Sequence, residues 1–534
     1  MIKTANRLLP GIFISLVFLG LNLATLKNYS FSWDYFFHLN AGLSKLGVTP
    51  PHPTNLDDQP YGILTSVPGA ASYRLFHQKT NLLPPDAAFN LPSVFASSLG
   101  IFAIYLVALE TLGRSPAIVS AIFLSLFPRY IGHAHVNMKD PLSAALIALS
   151  IYFFYKSIKL SSSISNSKTS ASENAGIPFV YFIVASAAFA ALAFHAKINA
   201  LLIPPILLLW LILSFRDKIL VTQRFPLLRP FALFLSLSVI FTLTTSALIY
   251  PKPIAQITNT VKFFSRANTG YRLLFFGRLY RSNIDMPWYL PLGNLLAVTP
   301  GLILALSVIG FSKCVADTFL LKNRYSGLFL AWFLVPTLKY FSPQVGFADD
   351  FRHIMEALYP LIIFASIGFQ SLLSLQKTIF ESLAWGLALL ASTIYLLFQS
   401  IPLHPFEINY YSDLLGGLKG IQGQFDPETF ALALKPALFT LNQIARENAV
   451  VYVPIASPVA QAYLRPDLAL VGDFQTKFNN SPSLSTADYV VLINRPSLFP
   501  AYDADIPGFL SHRQPLWSLT RANTPLVWIF QNTL

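Results

Sequence analysis

Runs of roughly 20 apolar residues recur along this chain, the first being LPGIFISLVFLGLNLATL at residues 9–26. Wound as a helix, such a run crosses the roughly 30 Å hydrocarbon core of a bilayer. There the backbone must bond to itself, which leaves a bundle of membrane helices as the fitting solution. The charge content agrees, since 11% of the 534 residues are charged and 54% are hydrophobic, against about 25% charged in soluble domains. Hydropathy predicts about eleven spans, at residues 9–26, 91–109, 115–131, 141–157, 178–194, 198–214, 231–250, 291–311, 326–341, 355–373 and 379–400. Lys3 and Arg7 precede the first as in a signal peptide, but its length and the lack of a small-residue cleavage site before Asp34 mark a retained helix. The single cysteine, Cys314, excludes an internal disulfide framework and a cysteine-based metal cluster.

A cytoplasmic N-terminus puts Arg114, then Lys156, Lys159 and Lys168, then Arg216, Lys218, Arg224 and Arg229, then Lys313, Lys322 and Arg324, then Lys377 on the inner side. That is a consistent positive-inside pattern, and an odd span count puts the C-terminus outside. Much of the net charge of +13 is thereby topogenic and membrane-facing, and it indicates no nucleic-acid partner. The inner stretch SSSISNSKTSAS at residues 161–172 is low-complexity and reads as a linker. Residues 1–400 thus form a transmembrane domain with outer loops. Residues 401–534 read as a small extracytoplasmic α/β domain, with a helix at 427–446 and apolar runs at 449–453, 468–471, 489–493 and 526–530. It carries no nucleotide-binding glycine fingerprint.

One outer loop breaks the charge rule. Residues 251–290 carry Lys252, Lys262, Arg266, Arg272, Arg278 and Arg281 against a single acid, Asp285. Cations on the wrong side suit an anionic ligand or anionic head groups. The aromatic interleaving of GYRLLFFGRLYR predicts an interfacial segment, its rings among lipids and its arginines at phosphate. Polar and titratable residues also gather in the outer segments 28–90, 127–140, 194–199 and 342–353, as an active site built from separate loops requires.

Within these, NYSFSWDYFFHLN at residues 28–40 sets one carboxylate, Asp34, among aromatic rings at a membrane surface. A charge there is costly, so Asp34 is either a functional carboxylate or the N-cap of a helix from Tyr35. Asp140 precedes Pro141, the order of a helix start, so capping alone accounts for its residue type. His133 and His135 lie two apart in a short loop; with Asp34 and Asp140 they suit a divalent metal, or else they bond hydrogen or contact phosphate. Arg129 and Lys139 flank them with positive charge. Arg352 and His353 follow Asp349 and Asp350 at a helix start, which makes either a phosphate seat or an internal ion pair. His195 and Lys197 sit in a short hairpin and either snorkel to head groups or meet a ligand.

Four segments taken in order carry a family likeness: Asp34 after the first span, PRYIGHAHVNMKDPL at residues 128–142, ADDFRHIMEALYPL at 348–361 and HPFEINYYSDLLGGLKG at 404–420. Together they resemble the lipid-linked-sugar transferases of the GT-C fold, and among them the bacterial relatives of dolichyl-phosphate-mannose protein mannosyltransferases and of the aminoarabinose transferases of lipid A. The likeness spans residues 1–425. It implies an enzyme of the cell (inner) membrane that takes a sugar from a polyprenyl phosphate outside the cytoplasm and transfers it to a hydroxyl of a lipid, glycan or protein, with inversion. It implies Asp34 near the acceptor hydroxyl and Asp140 near the same cavity, with Arg352 and Arg272, Arg278 or Arg281 near phosphate. The family pattern often has a second acid directly after the first; Tyr35 stands there in this chain, which weakens any two-carboxylate scheme in that loop. A transporter or lipid flippase is the alternative class, disfavoured because the halves show no internal repeat and few charges lie along a crossing path. A noncatalytic scaffold would leave Asp34 and the outer arginines without a task.

Overall fold

The computed structural model describes residues 2–49, 62–164, 172–222, 228–265, 267–321, 323–342, 345–373, 381–472 and 484–532. Lys168, Arg224, Arg266, Lys322, Lys377 and most of the 161–172 stretch lie outside them. Among the described residues, 9 helices are long and apolar enough to cross a membrane. Three of them, Pro85–Thr111, Lys139–Leu160 and Phe351–Leu373, are mostly buried and make the centre of the bundle, whereas Arg229–Ile249 is 11% buried and lies at its rim.

Prolines account for the departures from the expected spans. The run at 115–131 becomes two helices, Arg114–Ser125 and Pro128–Val136, bent by 63°. Pro128 has no N–H for the preceding turn, and the residue before it is pushed out of helical geometry, so the chain restarts in a new direction. The run at 291–311 is divided by Pro300 into Leu290–Ala297 and Gly301–Phe319. The run at 326–341 is the 15-residue helix Arg324–Leu338, followed by a tight turn at Lys339–Phe341. Gly301–Phe319 lies against Met355–Leu373 so closely that a Cβ on Gly310 would stand 1.8 Å from the Phe364 carbonyl oxygen. Small residues allow such approach where water supplies no drive between helices.

The basic outer loop differs from expectation. It folds as a helix, Pro253–Phe264, and an antiparallel hairpin of β1 (Arg272–Phe275) and β2 (Arg278–Arg281). Phe276 and Gly277 both take positive φ, the geometry of a tight two-residue hairpin turn. Leu273 and Phe275 are buried in protein, Phe275 at 5.5 Å from the Phe425 ring, so these side chains do not sit among lipids. Burial alternates along β1, but RLLF and RLYR carry no alternation of polar and apolar residues, so residue type alone does not announce the hairpin.

Beyond the last span, β3 (Val450–Val453), β4 (Ala469–Gly472), β5 (Tyr489–Ile493), β6 (Trp517–Arg521) and β7 (Thr524–Gln531) form one sheet of order β4-β3-β5-β7-β6. β3 runs parallel to β4 and β5, and β7 antiparallel to β5 and β6. The four expected apolar runs supply β3, β4, β5 and β7, and β5 is buried throughout. The polar edge strand β6, WSLTR, has too few apolar residues to announce itself. The helix expected at 427–446 is Leu434–Ile444.

Candidate active site

The turn after the first span leads into the helix Tyr35–Lys45. It is anchored from the sheet side, where the Trp33 N–H donates to the Phe430 carbonyl at 3.1 Å. Asp34 occupies the N-cap position, but its side chain makes no capping hydrogen bond. Its Oδ2 instead accepts from Arg352 Nη1 at 2.6 Å and lies 3.8 Å from Lys139 Nζ. Burial opposes ionisation of Asp34, yet the charges of Arg352 and Lys139 outweigh it and hold the carboxyl well below the usual carboxylate range. About a third of this side chain, 35%, stays open to solvent.

Arg352 stands in the turn Phe351–Ile354, whose start Asp350 caps through Oδ1 on the Arg352 N–H at 2.9 Å. Its guanidinium also donates to Asp349 Oδ2, so it joins two carboxylates. Asp349 in turn accepts from Tyr271 at 2.6 Å and from Arg495, a buried residue of the loop after β5. Asp349 is held at φ +56°, a strained setting for a residue with a side chain. The ion pair considered for this corner is therefore present and reaches further than the local segment. His353 faces the neighbouring cavity, and its Nε2 is buried without a hydrogen-bond partner among the described residues.

Lys139 and Asp140 open the helix Lys139–Ile164 and turn to different partners. Asp140 is buried, with Lys197 Nζ 2.6 Å from its Oδ1 and Asn137 Nδ2 donating to its Oδ2 at 2.7 Å. Capping falls to Asn137, whose Oδ1 accepts from the Asp140 N–H at 3.2 Å. Lys197 also donates to the Arg352 carbonyl at 3.1 Å, so it is a buried cation held by protein groups and turned inward instead of out to head groups. His195 is likewise buried, at 2.7 Å from Thr245 Oγ1.

His133 and His135 lie on the helix Pro128–Val136 instead of in a loop, and two-residue spacing turns them to different sides. His133 Nε2 is 3.3 Å from Asp350 Oδ2. His135 stacks on Tyr29 at 3.6 Å, with Nε2 3.1 Å from the Asn22 carbonyl. They do not meet Asp34 and Asp140, and no group of three or more His, Cys, Asp or Glu among the described residues is placed to hold a metal ion. Arg129 is buried against Asp350 at 2.9 Å and donates to the Tyr410 carbonyl, so its charge is spent inside the protein. A Cβ on Gly132 of the same helix would come within 2.5 Å of the Ile408 N, which shows how tightly this helix seats on the segment after the last span. On the hairpin, Arg278 lies over the Tyr280 ring and Arg281 pairs with Asp285. Arg272, Arg278 and Arg281 line neither cavity beside Asp34.

Two cavities meet at Asp34, Arg352 and Asn268. The larger, about 550 Å³, adds Lys139, Lys197, Lys339 and His353 to its wall. Leu201 belongs both to it and to an apolar groove of about 260 Å³ that includes Pro204, Phe234 and Leu243. The smaller, about 260 Å³, is lined by Trp33, Tyr271, Asp349 and Tyr502. Lys339, Asn137, Tyr271 and Arg495 were not singled out from sequence. Only Lys339, a lone cation at the end of an apolar run, carries a local signal.

Residues 84–244 match the model of the dolichyl-phosphate-mannose-protein mannosyltransferase family. The whole chain superposes on ArnT from Cupriavidus metallidurans in the apo state, with 12% identity over 99% of this chain and 98% of that one, at a TM-score of 0.51. The oligosaccharyltransferase of Archaeoglobus fulgidus in the apo form gives 10% identity, 92% and 69% coverage and a TM-score of 0.54. The chain has the GT-C fold. No curated protein sequence matches the chain. The GT-C likeness implied by the four sequence segments is thereby borne out for the fold, with its apolar helices followed by a small sheet.

Proposed function

We propose that the chain is an integral membrane glycosyltransferase that moves a sugar from a polyprenyl-phosphate donor to an acceptor hydroxyl outside the cytoplasm, with inversion. The observation that carries this reading is the Asp34–Arg352 pair standing between two cavities, one of them rich in cations. Lys139, Lys197, Lys339 and Arg352 supply the charge that a donor phosphate needs, Arg by planar hydrogen bonding and Lys as point charges. The apolar groove reached at Leu201 offers the isoprenoid a path from the bilayer. The match to the mannosyltransferase family model supports the same reaction class.

In the reaction, the acceptor hydroxyl approaches from the smaller cavity and its oxygen bonds to the anomeric carbon. The bond from that carbon to the phosphate oxygen breaks, its electron pair leaves with polyprenyl phosphate, and the hydroxyl proton passes to Asp34. A carboxylate held so far below its usual range is a weak base, so Asp34 orients the hydroxyl first and takes the proton late, as positive charge builds on the sugar. Asp140 lines neither cavity and acts by holding Lys197. The positive-inside pattern supports a cytoplasmic N-terminus with Asp34 outside.

The test is sugar transfer or hydrolysis from a labelled short-chain polyprenyl-phosphate sugar by purified protein in detergent, comparing wild type with Asp34→Asn. Loss in the variant with normal folding supports the reading. Full activity in the variant removes Asp34 from the reaction, and no donor binding or turnover by the wild type overturns the reading itself.

A further inference from the structure

We infer that the smaller cavity is a carbohydrate seat and that the acceptor hydroxyl belongs to a sugar, an inference that rests on the transferase reading above. The cavity holds about 260 Å³ and opens beside Asp34. Its wall mixes flat rings with hydrogen-bonding groups: Trp33, Phe37 and Tyr502 stand with Asn268, Asp349 and Thr429. Trp33 and Tyr502 adjoin, their ring centroids 6.3 Å apart and tilted by 51°, and so make one continuous aromatic wall. The Arg495 guanidinium lies 5.0 Å from the Trp33 ring and fixes it in place.

A pyranose or furanose ring presents apolar C–H faces and a rim of hydroxyls. Aromatic walls take the first and side-chain amides, hydroxyls and carboxylates take the second. The larger cavity offers the contrasting surface, cationic and continuous with an apolar groove, which suits a lipid phosphate. A lipid alcohol would need such a groove on the acceptor side as well, and the smaller cavity shares no residue with the groove at Leu201. Tyr502 and Thr429 come from beyond the last span, so the C-terminal region supplies part of the acceptor seat. The transfer joins the sugar's hydroxyl oxygen to the donor anomeric carbon, releases polyprenyl phosphate and leaves the hydroxyl proton on Asp34.

The experiment offers full-length wild-type protein a labelled polyprenyl-phosphate sugar with one of three acceptors. These are a panel of methyl glycosides, a Ser/Thr-containing peptide and a long-chain alcohol. Donor hydrolysis without acceptor is followed in parallel. Transfer to one or more glycosides is expected, and Tyr502→Ala raises the KM for the glycoside about tenfold, the scale of one lost aromatic contact. Saturation-transfer NMR of the glycosides on the wild type tests the seat should that variant fail to fold. Donor hydrolysis with transfer only to peptide or alcohol overturns the sugar seat and leaves the transferase reading intact. Glycoside transfer with KM unmoved in both Tyr502→Ala and Trp33→Phe overturns the placement. Absence of donor hydrolysis and donor binding overturns both readings.

Discussion

Arg352 donates through Nη1 to Oδ2 of Asp34 at 2.6 Å across 318 positions of sequence, and the same guanidinium reaches back to Asp349. A carboxylate next to the bilayer is thus kept ionised by a cation from a remote part of the sequence. On the proposed reading, Asp34→Asn lowers the transfer rate by about 10² or more, the usual scale for a positioned acid or base. Turnover measured beside size-exclusion profiles checks it, and a variant within a few-fold of wild type would contradict it.

The pair also fixes a pH dependence. Burial raises the Asp34 pKa, and the cations, Arg352 first, lower it by more. The contribution of the pair to stability is therefore present above the unfolded carboxyl value of about 3.9 and is lost only as pH falls through the lower folded value. Wild-type kcat/KM should show no acid limb from Asp34 between about pH 4 and 6. In Arg352→Gln, burial dominates and the pKa of Asp34 rises, so an acid limb should enter that window. A pH profile unchanged in the variant would sink this account.

Arg495 is a buried cation on Asp349, Tyr271 and the Thr429 carbonyl. Removing one partner of a buried pair typically costs about 3–5 kcal/mol. Arg495→Met should lower the unfolding temperature by several degrees and reduce transfer, because Asp349, which also holds Arg352, loses its second cation. Arg495→Lys should restore part of the stability and less of the activity. Differential scanning fluorimetry with parallel kinetics separates the two effects.

Lys197 serves Asp140 and, on the proposed reading, the donor phosphate. Lys197→Met strands a buried carboxylate and should destabilise by about 3 kcal/mol or more. Adding Asp140→Asn should recover the folding and leave the donor KM raised. Recovery of both would make the lysine purely structural.

The close seating of Gly132 on Ile408 predicts that Gly132→Ala costs about 1–3 kcal/mol, the usual penalty for overpacking. It should also disturb Arg129 and His133, which share that helix and both reach Asp350. Thermal unfolding checks the first effect and residual transfer the second.

How far the chain could be read in advance follows from the range of the forces involved. Apolar length alone decides a membrane helix, so nearly every expected span has a counterpart, with boundaries moved where Pro128 and Pro300 restart the helix. Asp34, Lys139, Asp140 and Arg352 were legible as costly charges beside apolar runs, but their pairing was not. Nothing local joins Asp34 to Arg352, or Asp140 to Lys197. Capping preference suggested a role for Asp34 and Asp140 that neither carboxylate plays, because a nearby cation offers more than a backbone N–H. The hairpin arginines resemble phosphate ligands on charge alone, and the pairing of β1 with β2, which leaves them outside both cavities, has no local signal in RLLF and RLYR. Arg495 lies 146 positions from Asp349 in an unremarked loop, and only the three-dimensional approach of sheet and helices brings them together.

The link from Asp34 through Arg352 and Asp349 to Arg495 bears on how the protein is made. Asp34 emerges from the ribosome soon after the first helix, whereas Arg495 emerges when synthesis is nearly over. For most of that interval the carboxylate exists without its clamp, and one wall of the smaller cavity is still missing. On the proposed reading, a nascent chain surrounded by lipid-linked donor is thereby kept idle, and turnover begins only when the last-made part has docked.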